Sequence, residues 1–312
     1  MYFYGNNSSG MLAKKTGALP LAVISILFWS TMGSAFKLTL GYTSPAMLLL
    51  IASCTAFVFL GIQIRVTGIP FRFNQITTKQ WGNSAAMGMF NPLLYYLVLF
   101  EAYRRIPAQE GVALNYIWPL MLVIFSIIFL KQHITILSIL AILVSFAGTV
   151  IIATHGNFND IHFSDPVGVS LALGSALFWA SFWILNMKDS REAVPKMFLN
   201  FAFGFLYILI YCVITNKIIF PPWQGFAGGV YIGIFEMGLT FVLWLKALHR
   251  SPNTARISNL VYISPFISLI LVSIFVGEKI LLSTIAGLII IVSGILLQQY
   301  SQWREKKLMV NG

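Results

Sequence analysis

Charge is what this chain has least of. Only 9% of its 312 residues are Asp, Glu, Lys or Arg, whereas soluble domains carry about 25%. So few charges cannot cover a water-soluble fold of this length, and 58% of the residues are hydrophobic. Acids are scarcer than bases, nine against 20, for a formal charge of +11. Cysteine is nearly absent: Cys54 and Cys212 both fall in apolar stretches, which argues against a disulfide framework and for small core residues. The four histidines stand near the ends of apolar runs or between them, without ligand spacing, so no metal site is expected. No phosphate loop and no nucleophile–base spacing stands at the end of an apolar run. Neither an enzyme nor a cofactor is expected.

What is present is apolar sequence in lengths that match a bilayer. Ten stretches of about 20 residues can each cross ~30 Å of hydrocarbon: roughly 18–40, 43–64, 82–103, 108–130, 134–154, 166–187, 196–215, 227–248, 253–276 and 280–302. Lipid leaves no water for backbone hydrogen bonds, so all should be helices. The connectors are short turns with Pro, Gly or Asn, such as Gly41-Tyr42-Thr43-Ser44 and Phe220-Pro221-Pro222, and no extramembrane domain is expected. The first stretch follows Lys14-Lys15 and imitates a signal peptide, but its length and the nine further stretches predict an uncleaved anchor.

Orientation follows from the basic residues. Ten spans put both termini on one side. If that side is cytoplasmic, only Lys37, Arg104, Arg105, Lys217 and Lys279 of the 20 Lys and Arg fall outside. That is a positive-inside signal, and it accounts for the net charge without a nucleic-acid partner. The acidic connector around Asp160 and Asp165 lands outside.

The sequence also reads twice. Phe28-Trp29-Ser30 is answered by Phe178-Trp179-Ala180, Arg105-Ile106-Pro107 by Arg250-Ser251-Pro252, Pro119 by Pro265 and Gly148 by Gly294. Five spans per copy is odd, so the copies must insert with opposite topology. The expected fold is an all-α membrane protein of ten transmembrane helices in two inverted five-helix repeats. Its parts are a cytoplasmic segment 1–17, a first repeat 18–154, an external connector 155–165, a second repeat 166–302 and a basic cytoplasmic tail 303–312. Inverted repeats are the usual architecture of alternating-access transporters, with a pathway at the repeat interface.

The run Tyr95-Tyr96 … Ala102 … Pro107 … Asn115 … Pro119, and its fuller second copy Ala247 … Pro252 … Ala255 … Pro265 … Gly277-Glu278 … Gly287 … Gly294, resemble the EamA-type drug/metabolite transporters over about 17–302. The first copy departs at the Gly-Glu turn, where it carries Lys131-Gln132. Within that superfamily, Asn115-Tyr116-Ile117-Trp118-Pro119 is similar to a segment of the YddG-like amino acid exporters. The resemblance implies a ten-helix carrier of small organic metabolites in a cell membrane, by analogy a bacterial inner membrane.

The residues themselves nominate a site. Glu236 lies about 13 Å into its span at 1.5 Å per residue, close to mid-membrane, with no basic residue within a turn or two. An ionisable group there faces a cavity or a partner, so Glu236 is a candidate for proton coupling or for a substrate amine; the alternative is a protonated carboxyl bonded across the bundle. Asn115, Tyr116 and Trp118 also sit deep, although Trp and Tyr favour the interface, which suggests a polar cavity wall or a hydrogen-bonded packing role. Pro92, Pro119 and Pro265 lack an N–H, freeing the carbonyls of Gly88, Asn115 and Val261, or simply kinking their helices. Trp29 and Trp179 hold equivalent repeat positions and can stack on a planar substrate or pack. One of Tyr95 and Tyr96 should point inward. Lys37 either snorkels to water or holds a substrate carboxylate.

One deep carboxylate, amides, hydroxyls and aromatics suit a zwitterion, an amine or a neutral amphiphile better than a phosphorylated substrate, which needs deep Arg or Lys. An amino acid or closely related metabolite is the first expectation, with export favoured by the resemblance; the deep tryptophans make aromatic or large apolar amino acids plausible among them. A carrier of amines or neutral drug-like molecules remains open, as does a non-transporting sensor or scaffold. The partners expected are a small-molecule substrate, the lipid bilayer and, for coupling, protons.

Overall fold

The computed structural model describes residues 17–69, 71–118, 120, 121, 124, 125, 128, 136–157, 164–187, 189, 191–250 and 260–311. Every described regular element is a helix. In chain order these are α1 (Ala18–Leu40), α2 (Pro45–Thr67), α3 (Thr78–Gly88), α4 (Tyr95–Arg105), α5 (Ala108–Asn115), α6 (Ile136–Ala153), α7 (Pro166–Met187), α8 (Ala193–Ile214), α9 (Trp223–Ile232), α10 (Leu239–Arg250), α11 (Ser264–Phe275) and α12 (Leu282–Asn311). Among the described residues, seven stretches are long and apolar enough to cross a membrane: 18–40, 45–67, 78–105, 166–183, 193–214, 223–244 and 282–301. Two shorter apolar helices, Ile139–Ala153 and Leu260–Phe275, coincide with two further expected spans. The expected span 108–130 is described only in part. The long apolar helices bury one face in protein and turn the other outward, with Ile62, Val66, Ile214 and Leu282 among the exposed large side chains, whereas α5 is buried along nearly its whole length. This is a multi-pass membrane protein.

The helix ends are written locally. Ser44 accepts a hydrogen bond from the Met47 N–H at 3.3 Å, with Pro45 in the first turn of α2. Thr77 and Gln80 form a capping box at the start of α3. Gly277 holds φ +77°, a left-handed turn that brings Glu278 round after α11.

Two crossings use small residues in place of side-chain volume. At the crossing of α6 with α12, a Cβ on Gly148 would strike the Gly287 carbonyl, and one on Gly294 would meet the Ala141 carbonyl. Ser145 Oγ donates to Ile291 O at 3.2 Å across this contact. Such backbone proximity is how apolar helices associate where burial from water supplies no force. Gly148 and Gly294, the repeat-related glycines of the sequence, thus meet in one interface. The second crossing sets α8 against α3, where a Cβ on Gly88 would meet the Asn200 carbonyl and one on Gly204 would overlap the Pro92 ring.

Two spans are broken in the same way. Between α3 and α4, Met89–Leu94 is π-helical, with Asn91 in an extended conformation and a cis Asn91–Pro92 peptide. Between α9 and α10, Gly233–Gly238 is π-helical and contains Glu236. π segments recur at functional sites because they turn a side chain out of helical register. Both breaks adjoin the cavity described next.

Candidate functional site

A cavity of about 270 Å³ lies in the middle of the bundle. Its wall draws on both halves of the chain: Trp29, Met32, Gly33 and Phe36 from α1; Tyr95, Leu99 and Tyr103 from α4; Val112 and Asn115 from α5, with Tyr116 and Trp118 beyond it; Trp179 and Trp183 from α7; Glu236 and Trp244; and Val261, Tyr262, Ser264 and Ser268 around the start of α11. Glu236 supplies the one carboxylate, and no Lys, Arg or His is among these wall residues.

Glu236 reaches this space from its π segment and is buried. Its Oε1 accepts the Tyr96 hydroxyl at 2.9 Å, while Oε2 is buried without a partner. Tyr96 is fully buried behind the wall; its neighbour Tyr95 lines it and donates to Asn115 Oδ1 at 3.2 Å. Asn115 passes the bond on, Nδ2 to Ser175 Oγ at 2.8 Å. Both tyrosines are therefore used, one toward the carboxylate and one toward the amide.

The prolines occupy distinct settings. Pro265 stands in the first turn of α11, after the 3-10 turn Leu260–Ile263. The carbonyl of Val261, four residues before it, accepts the Tyr116 hydroxyl at 3.3 Å, so Tyr116 answers a carbonyl that Pro265 cannot. Pro92 sits inside the π segment against Gly204. Pro119 lies outside the described residues.

The tryptophans form a connected wall around Phe241. Its ring lies 6.3, 5.6 and 6.4 Å from those of Trp29, Trp179 and Trp183. Trp179 also meets Tyr95 at 4.6 Å and Trp118 at 6.4 Å, and Trp29 meets Trp244 at 5.2 Å. Edge-to-face and tilted contacts of this kind hold the rings in fixed orientations. Two further wall residues carry a buried, unpartnered polar atom: the indole N–H of Trp183 and Oγ of Ser268. With Glu236 Oε2, the wall residues hold one unpartnered acceptor, one unpartnered donor and one unpartnered hydroxyl.

Lys37 is placed apart from the wall. Its ammonium donates to the carbonyls of Tyr103 at 2.9 Å and Ile106 at 2.6 Å, closing the end of α4. Several wall residues had not been singled out from the sequence: Phe36, Leu99, Tyr103, Trp244, Tyr262, Ser264 and Ser268. Helical phase points to some of them, since Gly33 and Phe36 follow Trp29 at i+4 and i+7, and Leu99 and Tyr103 follow Tyr95 at i+4 and i+8. Trp183 likewise follows Trp179 at i+4.

Comparison with known proteins agrees with this architecture. The EamA-like transporter family model matches residues 16–154 and again 166–298. The uncharacterized transporter YvbV of Bacillus subtilis is 26% identical over 292 residues, covering 92% of each chain. The aromatic amino acid exporter YddG of Ancylobacter novellus is 23% identical over 262 residues, covering 82% of this chain and 88% of its own. A crystal structure of a protein 19% identical in sequence superposes with a TM-score of 0.65, over 93% of this chain and 99% of that one, a likeness of fold.

Proposed function

The chain belongs to the EamA-like transporter family, and from that premise we propose that it is an alternating-access carrier that exports amino acids with aromatic or large apolar side chains, or closely related metabolites. The carrier is read as ten transmembrane helices in two inverted repeats, 18–154 and 166–302, with both termini in the cytoplasm of a bacterial cell. The two broken spans, each bordering the cavity, support a pathway between the repeats.

One observation carries the substrate class: the three unpartnered polar atoms of a cavity otherwise walled by aromatic rings. Each buried, unmade hydrogen bond costs about 1–3 kcal/mol, so these atoms favour a ligand that completes them. Glu236 Oε2 suits an ammonium; the Trp183 N–H and the Ser268 hydroxyl suit a carboxylate; the tryptophans suit a flat or bulky side chain. The relationship to YddG supports the same direction. Glu236 is the proposed coupling residue, exchanging a proton for the substrate amine as the cavity changes sides. Because no basic residue is among the wall residues, transport of simple amines is the second reading. Exchange of labelled amino acids and amines across proteoliposome membranes tests both. Saturable amino acid exchange supports the first, exchange of amines alone the second, and exchange of neither contradicts the carrier.

A further inference from the structure

Where α5 and α12 begin, the two halves of the chain make a reciprocal contact. The Glu278 carboxylate, presented by the left-handed turn at Gly277, accepts the first N–H groups of α5: Ala108 at 2.8 Å and Gln109 at 3.1 Å. Gln109 returns the contact. Its Oε1 accepts the Leu281 N–H at 3.0 Å and the Thr284 hydroxyl at 3.1 Å, at the start of α12, and its Nε2 donates to Lys279 O at 3.0 Å. Each helix start is thus capped by a side chain from the other half. Charge-assisted bonds to a helix N-terminus are among the stronger polar contacts.

The same end carries the Lys37 bonds to the carbonyls of Tyr103 and Ile106, just before α5 begins. Beneath them, Phe36 and Tyr103, both cavity residues, meet edge to face at 5.4 Å, and Phe36 meets Phe100 at 4.9 Å. These rings stand on α1 and α4, and the last residues of α4 lead directly into the tied start of α5.

We propose that the Glu278–Gln109 pair is the latch of this end, with Glu278 acting as a positioning residue that holds α5, and through it Asn115 and Tyr116, in the closed arrangement. The proposal rests on the alternating-access reading given above. In sequence, the corresponding position of the first copy is Lys131-Gln132, without a carboxylate.

The test is accessibility of a cavity cysteine. In a chain with Cys54→Ala and Cys212→Ala, Leu99→Cys is exposed to a small membrane-impermeant methanethiosulfonate added outside intact cells, and labelling is followed by protection from a fluorescent maleimide. Glu278→Gln and Gln109→Ala should each raise the labelling rate about tenfold, with Glu278→Asp falling between. A 5-kDa polyethylene glycol maleimide should remain excluded throughout, which separates opening from unfolding. Unchanged labelling in both variants, or labelling accompanied by entry of the large reagent, overturns the latch. Faster labelling without exchange of any substrate in proteoliposomes upholds the latch and contradicts the transport reading instead.

Discussion

Tyr96 donates its hydroxyl to Glu236 at 2.9 Å, joining two residues 140 positions apart. Tyr96 lies two residues beyond one π segment and Glu236 lies inside the other. The bond therefore links the two broken spans at the cavity, and it leaves one carboxyl oxygen free for a ligand. A rearrangement of either break must move or remake it.

Removing the hydroxyl with Tyr96→Phe leaves both carboxyl oxygens unpartnered in a buried setting. We expect a folded protein whose maximal exchange rate falls about fivefold, in line with a bond worth about 1 kcal/mol. Initial-rate measurements in proteoliposomes check this, and an unaltered rate would separate Tyr96 from the working site.

Proton coupling at Glu236 makes transport pH-dependent through that group. Glu236→Gln keeps the size and the hydrogen bond from Tyr96 but cannot take up or release the proton. The variant should show a flat rate profile between pH 5.5 and 8.5 where the wild type slopes. A slope retained in the variant would assign coupling elsewhere.

Trp183→Phe keeps an aromatic ring against Phe241 while deleting the free N–H. If that N–H reads a carboxylate, KM for an amino acid should rise about fivefold or more while KM for the matching decarboxylated amine stays the same. Equal effects on both would place Trp183 in packing alone.

Gly33 faces the cavity with almost no room to spare: a Cβ there would come 2.6 Å from Val112 Cγ2 and 2.8 Å from Ser268 Oγ. Gly33→Ala should weaken substrate binding about tenfold by displacing Ser268, with a modest loss of stability. Intrinsic fluorescence reads the binding directly, because Trp29, Trp118, Trp179, Trp183 and Trp244 all line the cavity.

At the α6–α12 crossing the expected effect is on stability. Gly287→Leu forces a side chain into the Gly148 carbonyl and Ile152, and overpacking of this kind typically costs about 1–3 kcal/mol. Thermal unfolding in detergent should shift down by several degrees, with substrate affinity preserved in the fraction that remains folded.

Much of this was legible in the residues. Hydrophobic length locates the seven long apolar stretches found among the described residues, because a bilayer of fixed thickness demands a fixed run of apolar side chains. A carboxyl at mid-depth had to have company, and Glu236 has it. The repeat put Trp29 and Trp179 in equivalent positions, and both rings contact Phe241 beside the cavity. What sequence could not give was partnership. Tyr96 looked like either an inward ring or a packed one, and its role depends on a residue 140 positions away. For Lys37 the residues left snorkelling or a substrate carboxylate open, and the carbonyls that take it belong to a helix end that only folding brings near. The π segments were also hidden, because a proline marks only the first of them and Gly233–Gly238 contains none.

The central claim, that substrate crosses through the cavity beside Glu236, is tested most directly by counterflow. Proteoliposomes loaded with unlabelled aromatic amino acids are diluted into labelled substrate, with wild type, Glu236→Gln and Gly33→Ala measured side by side. The account predicts saturable accumulation by the wild type, sharply reduced in both variants although each remains folded. Accumulation of equal rate and affinity in all three proteins would contradict it, and would place the pathway elsewhere in the bundle.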